Sequence, residues 1–167
     1  MAEPGNILIY GYGNPGRQDD GLGNEMIELV EAWATREGIT GLAVDSNYQL
    51  QVEDVTMIHD RDLVIFVDAS MRPDITDYRL ESVHPNPRAT FTMHSVAPGY
   101  ILALCREIYG QHPPAYLLHI RGHEWEINEP ISAKAKENLQ KAWIRLRRLI
   151  VKPEEALSAI DDFNSTE

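Results

Sequence analysis

Two adjacent carboxylates, Asp19 and Asp20, end a glycine-rich turn, GYGNPGRQDDG, that follows a short apolar run at residues 7–10. Such turns usually cradle phosphate, because backbone N–H groups and a helix N-terminus attract anions. Two carboxylates there would repel a phosphate. The turn instead holds acid side chains ready to bind a cation or handle a proton. Further along, Asp45 ends a second apolar stretch, Asp68 follows the run LVIFV, and His94 stands just before Ser95 at the mouth of a predicted helix. Asp20, Asp68 and His94 form an O, O, N donor set that suits a first-row divalent cation and leaves coordination positions open. A helix N-terminus favours the neutral imidazole that a metal requires, which suits His94. Plainer roles compete: an N-cap for Asp19 or Asp20, a turn-former for Asp68, a loop histidine for His94. Two aspartates in a row weaken the first of these, since one residue caps.

The elements that must position these side chains alternate along the chain. Residues 7–10 read as a first strand and 21–36 as a helix with Leu22, Met26, Val30 and Trp33 on one stripe. Residues 42–45 form a second strand, 50–59 a short helix or loop, and 63–67 a strand buried on both faces. Residues 78–83 alternate as an edge strand, and HPNPR at 84–88 is a loop. A helix over 95–109 tolerates Pro98 in its first turn. A late strand at 116–120 and a loop at 122–130 precede a helix capped by Ser132 that runs to about residue 150. Residues 1–152 make one domain, and 153–167 a polar, frayed tail. The alternation predicts an α/β fold, a three-layer α/β/α sandwich with a mostly parallel central sheet. Ligand crevices in such sheets lie off the carboxyl ends of the strands. Asp19, Asp20, Asp45, Asp68 and His94 are therefore expected along one edge.

Composition removes several alternatives. With 167 residues and 43% hydrophobic content, the chain can bury a real core. Its apolar runs are too short to cross a membrane, and the first residues, MAEPGN, lack the features of a secretory signal. A lone cysteine, Cys105, fits a reducing cytoplasm and, inside ILALCREI, reads as a buried small hydrophobe. Residues 1–131 carry 8 Lys/Arg against 20 Asp/Glu, whereas residues 132–167 carry 7 against 6. The acidic body argues against nucleic acid as a partner. The basic residues between 134 and 152 form a solvated face or a docking face for an acidic partner. His119 reads as strand surface and His123 as loop. HEWEI fails the zinc-protease pattern HExxH at Ile127, and no Ser or Cys occupies a nucleophile elbow.

Three segments, GYGNPGRQDDGLG, DLVIFVDAS and HSVAPGYILAL, resemble the signatures of the hydrogenase maturation endopeptidases. RGHEWEINEPISAKAKENL resembles the same family's late strand, loop and last helix. The likeness spans residues 7–150. It implies a cytoplasmic endopeptidase that removes a C-terminal extension from the precursor of a nickel–iron hydrogenase large subunit. It also implies Asp20, Asp68 and His94 as metal ligands and as the catalytic residues, with nickel arriving inside the precursor. Asp19 is left the helix cap. Where the family often carries Asp-Gly-Gly-Thr/Ser, this chain has Asp45-Ser46-Asn47-Tyr48, which resembles the branch acting on soluble, cofactor-linked hydrogenases. The resemblance transfers a substrate-binding role to Asp45, and losing the two glycines changes the backbone angles open to the loop that follows it. The rivals are a dinucleotide-binding module, in which Arg17 to Asp20 interrupt the fingerprint, and a peptidyl-tRNA hydrolase, whose His-Asn pair is missing. A non-catalytic nickel-binding chaperone is the third.

Overall fold

A computed structural model of the chain describes residues 5–88, 91–92 and 95–164. Seven strands and five helices alternate through them: β1 (Ile7–Tyr12), α1 (Leu22–Glu37), β2 (Leu42–Asn47), α2 (Val55–Ile58), β3 (Leu63–Ser70), β4 (Tyr78–Val83), β5 (Phe91–Thr92), β6 (Ser95–Val96), α3 (Pro98–Tyr109), β7 (Ala115–Arg121), α4 (Ala133–Val151) and α5 (Pro153–Asn164). The main sheet has the order β2-β1-β3-β7-β4. Its first four strands are parallel, and β4 closes one edge antiparallel to β7. Strands β5 and β6 form a separate two-stranded ribbon.

Parallel strands are covered on both faces, which is why LVIFV in β3 is apolar at every position. Ile7, Ile9, Ile65, Val67, Leu118 and Ile120 face one core, shared with α1, α4 and α5. Leu8, Tyr10, Val64 and Phe66 face the other, shared with α2 and α3. The chain is thus the three-layer sandwich expected from the alternation. Trp33 of α1 meets Trp143 of α4 edge-on at 5.5 Å between ring centres, which locks the two helices of the first layer together. Cys105 is fully buried in the second core, and that burial pushes its thiol up to about 11.

Four strands outrun their apolar patterns. β1 continues through Gly11 and Tyr12, β2 through Asn47, β3 through Asp68 to Ser70, and β7 covers Ala115–Arg121. The third helix starts at Pro98 rather than at 95, because Ser95 and Val96 pair with β5. Ser132 caps α4 as expected, its hydroxyl accepting from the Ala135 N–H at 3.3 Å. The expected frayed tail is instead helical: residues 153–164 form α5, with Ala156 and Ile160 buried in the first core. Pro153 at the first position and Glu154 and Glu155 in the first turn suit a helix start. The apolar pair spaced four apart supplies the packing that its polar composition conceals.

Candidate functional site

The carboxyl ends of β1, β3 and β7 meet the glycine-rich turn at one edge of the sheet, where an α/β fold places its crevice. Two glycines set the geometry. Gly13 has φ +149°, and a Cβ there would lie 2.0 Å from the Asp20 carbonyl oxygen. At Gly23, in the first turn of α1, a Cβ would lie 2.6 Å from the Val67 carbonyl oxygen and 2.8 Å from that of Tyr12. Only glycine lets the helix start seat directly on the ends of β1 and β3. That seating brings Asp20, just before the helix, beside Asp68, the residue after Val67.

Asp19 does not cap a helix. It lies in a 3₁₀ turn (Gln18–Gly21) that makes no side-chain cap bond, and its side chain is fully buried elsewhere. Its Oδ2 accepts from the His123 N–H (2.7 Å), the Glu124 N–H (2.9 Å) and the Ser132 hydroxyl (2.8 Å). Its Oδ1 accepts from the Ser132 N–H at 2.8 Å. Burial alone would raise the pKa of this carboxyl, but the four donated bonds outweigh it and hold Asp19 below the usual carboxylate range. The same clasp continues around it. The Gln18 side-chain oxygen accepts from the Glu126 N–H at 3.0 Å, and the Gly16 carbonyl from the Asn128 N–H at 2.9 Å. The first turn is thereby fastened to the loop between β7 and α4.

Asp20 has a different fate. Its Oδ2 accepts from the Asn14 N–H at 2.9 Å, and it remains partly accessible. Its charge acts on Asp68: burial first, then Asp20, pushes the Asp68 carboxyl up to about 7, against the opposing pull of the Ala69 N–H. Burial and then Asp68 push the Tyr12 hydroxyl well above its ordinary value. Nearby, the side-chain oxygen of Asn24 is buried with no hydrogen-bond donor among the described residues. Two carboxylates sharing a desolvated crevice, with a spare amide oxygen, offer oxygen donors to a cation, and a cation there would relieve their repulsion.

The other sequence-nominated residues divide. Asp45 is exposed, lies two residues short of the end of β2 opposite Tyr10, and accepts from the Ser46 N–H at 2.9 Å. Of the four aspartates expected along one edge, the structure thus pairs Asp20 with Asp68, withdraws Asp19 into its own clasp, and leaves Asp45 on the strand. His94 lies outside the described residues. Among the described residues no three His, Cys, Asp or Glu side chains form a group able to hold a metal. His119, read from the sequence as strand surface, is partly buried in register with Asp68, its Nε2 3.0 Å from Glu81 Oε2. Burial lowers its pKa, and Glu81 opposes that shift.

No family model and no curated protein matches the sequence. The fold, in contrast, has clear counterparts among solved structures. The nickel–iron hydrogenase maturation protease HycI from Thermococcus kodakarensis superposes with a TM-score of 0.69 at 17% identity, over 90% of this chain and 96% of that one. The hydrogenase maturating endopeptidase HybD from E. coli gives 0.69 at 14% identity, over 89% and 94%. HybD from Thermococcus kodakarensis gives 0.63 at 15%, over 87% and 99%. The chain therefore has the fold of these proteases across nearly its whole length.

Proposed function

We propose that this chain is an endopeptidase that removes a C-terminal extension from the nickel-loaded precursor of a nickel–iron hydrogenase large subunit. The observation that carries the reading is the Asp20–Asp68 pair, two carboxylates forced together at the crevice of a fold shared with hydrogenase maturation proteases. Asp20 and Asp68, with His94 as the nitrogen donor, would hold the nickel that the precursor presents. The metal belongs to the substrate, and its presence makes these carboxylates less costly to ionise. Specificity follows from polar groups that go unsatisfied without the correct ligand, a stronger discriminator than an apolar pocket.

With no serine or cysteine nucleophile in a strand-to-helix elbow, the attacking group is a water. Its oxygen adds to the scissile carbonyl while its proton passes to a site carboxylate. The C–N bond then breaks as the departing amine takes up a proton. The segment Asp45-Ser46-Asn47-Tyr48 favours a soluble, cofactor-linked hydrogenase as the substrate and the cytoplasm as the setting. Among the described residues no helix is long and apolar enough to cross a membrane.

Intact-mass measurement of a candidate large-subunit precursor, with and without nickel, tests the proposal. Loss of the C-terminal peptide only from nickel-loaded precursor is the expected result, and Asp20→Asn, Asp68→Asn and His94→Ala should each abolish it in folded protein. Tight binding of the precursor without any cleavage would replace the protease by a nickel-binding chaperone. Efficient cleavage of nickel-free precursor would end the recognition role of the metal.

A further inference from the structure

Helix α4 carries a second feature at its far end. Ser132, at its start, is bonded to Asp19 beside the candidate site. Arg148 lies 16 residues further on, about 24 Å along the axis. There α4 and α5 enclose a cleft of about 480 Å³. Its floor is apolar, formed by Trp33 and Ala156, and its rim is cationic, formed by Arg145, Arg147, Arg148 and Lys152. Glu155 is its one acidic lining residue among those described. Arg145 is fixed by donating to the Ala156 carbonyl at 3.2 Å, and Arg147 lies 5.8 Å over the Trp143 ring.

Basic residues in a last helical turn offset the macrodipole, and that alone explains some of this charge. It does not explain the apolar side chains set among them. Val151, in the lining, and Ile144, just beyond it, are 57% and 48% exposed and flank Arg148 at spacings of three and four, on one helix face. Nor does it explain so cationic a rim on a chain of net charge −11.

We propose that this cleft docks an extended acidic peptide segment of a partner protein, one that alternates carboxylates with apolar residues. Arg145, Arg148 and Lys152 rise in steps of about 4.5 and 6 Å along the helix. Alternate side chains of an extended chain stand about 6.6 Å apart, a comparable interval. A phosphate would need donors converging on one point, whereas these lie in a row. A long nucleic acid would meet the acidic body of the protein. The inference is independent of the proposed protease activity, since it concerns the opposite end of α4.

Fluorescence anisotropy with the full chain and a labelled peptide of alternating Glu and Leu provides the test. Saturable binding is expected, weakening at least tenfold between 50 and 300 mM salt. The double variant Arg148→Glu/Lys152→Glu should weaken it at least tenfold with an unchanged melting profile. Should that variant unfold, Arg148→Gln/Lys152→Gln should still weaken binding severalfold. Ile144→Ser/Val151→Ser should also weaken it severalfold, through the apolar half of the contact. Equal binding by the charge variants, or by the same peptide with Lys for Glu, would overturn the proposal. So would preferential binding of pyrophosphate or a single-stranded oligonucleotide, which would assign the cleft to phosphate instead.

Discussion

Replacing Asp68 by asparagine removes one charge from the crevice and leaves the shape of the side chain intact. Asp68 moves from its ordinary value of 3.8 to about 7 on folding, a gap of roughly three pH units. At about 1.4 kcal/mol per pH unit, keeping it ionised costs the folded state up to about 4 kcal/mol relative to the unfolded chain. The folded pKa is raised, so the native state holds a proton that the unfolded chain releases. Below about pH 4 both states are protonated and the cost is absent. It grows between about pH 4 and 7 and stands in full above pH 7. Asparagine resembles the protonated acid, so Asp68→Asn should match the parent near pH 4 and exceed it by up to about 4 kcal/mol at pH 8.5. Urea unfolding of both proteins across that range, with chelator present, measures the difference. Because the Asp20 charge supplies part of the shift, Asp20→Asn should recover part of the same stability. A gap that does not change with pH, or an Asp68→Asn variant no more stable at pH 8.5, would refute the raised pKa of Asp68, and an Asp20→Asn variant that recovers none of the stability would refute the like-charge part of it.

Asp19→Asn should destabilise the fold by roughly 2–4 kcal/mol at neutral pH in urea unfolding, since it replaces a buried acceptor of four bonds by a group that also donates. The folded pKa of Asp19 is lowered, so its contribution is present above the unfolded value of 3.8 and disappears as pH falls through the folded value; the variant and parent should converge at low pH. Gly23→Ala should cost more than the ordinary Gly-to-Ala change, at least about 3 kcal/mol by the same measurement, because its Cβ meets two backbone oxygens that cannot rotate away. Truncation after Lys152 should lower the melting temperature by uncovering the first core where Ala156 and Ile160 pack, an effect that a frayed tail would not produce.

The layered fold was legible because its main signals are local. An apolar run bounded by turns reads as a strand, and a stripe at helical spacing reads as α1 or α4. Strand ends were less legible, since Gly11, Tyr12 and Asp68 extend the ladder through polar or small residues that carry no apolar pattern. The pairing of Asp20 with Asp68 follows from topology, because neighbouring parallel strands deliver their carboxyl-end residues to one place. The clasp around Asp19 is hidden from the sequence for the opposite reason. Its partners lie 104 to 113 residues away, and nothing in the spacing of a sequence distinguishes a distant clasp from an adjacent helix cap. His119 paired with Glu81 is a similar case, set by β4 returning antiparallel beside β7.

Two consecutive aspartates therefore perform opposed electrostatic tasks, and the second depends on the first. Asp19 is charged at little cost, because four donors from a distant loop and a helix start surround it. Those bonds fix the backbone of the turn that carries Asp20, whose carboxylate is held in turn by the Asn14 N–H. The repulsion between Asp20 and Asp68 is consequently held in place rather than relaxed by a loop movement. The crevice is strained whenever Asp68 is ionised, and a cation entering it would relieve that strain. In the proposed reaction that strain supplies the difference between a nickel-loaded precursor and an empty one. Weakening the clasp at Asp19 should then blunt discrimination before it abolishes cleavage: the ratio of processing rates for nickel-loaded and nickel-free precursor should fall in folded Asp19→Asn. An unchanged ratio in a variant that unfolds more readily would confine Asp19 to stability alone.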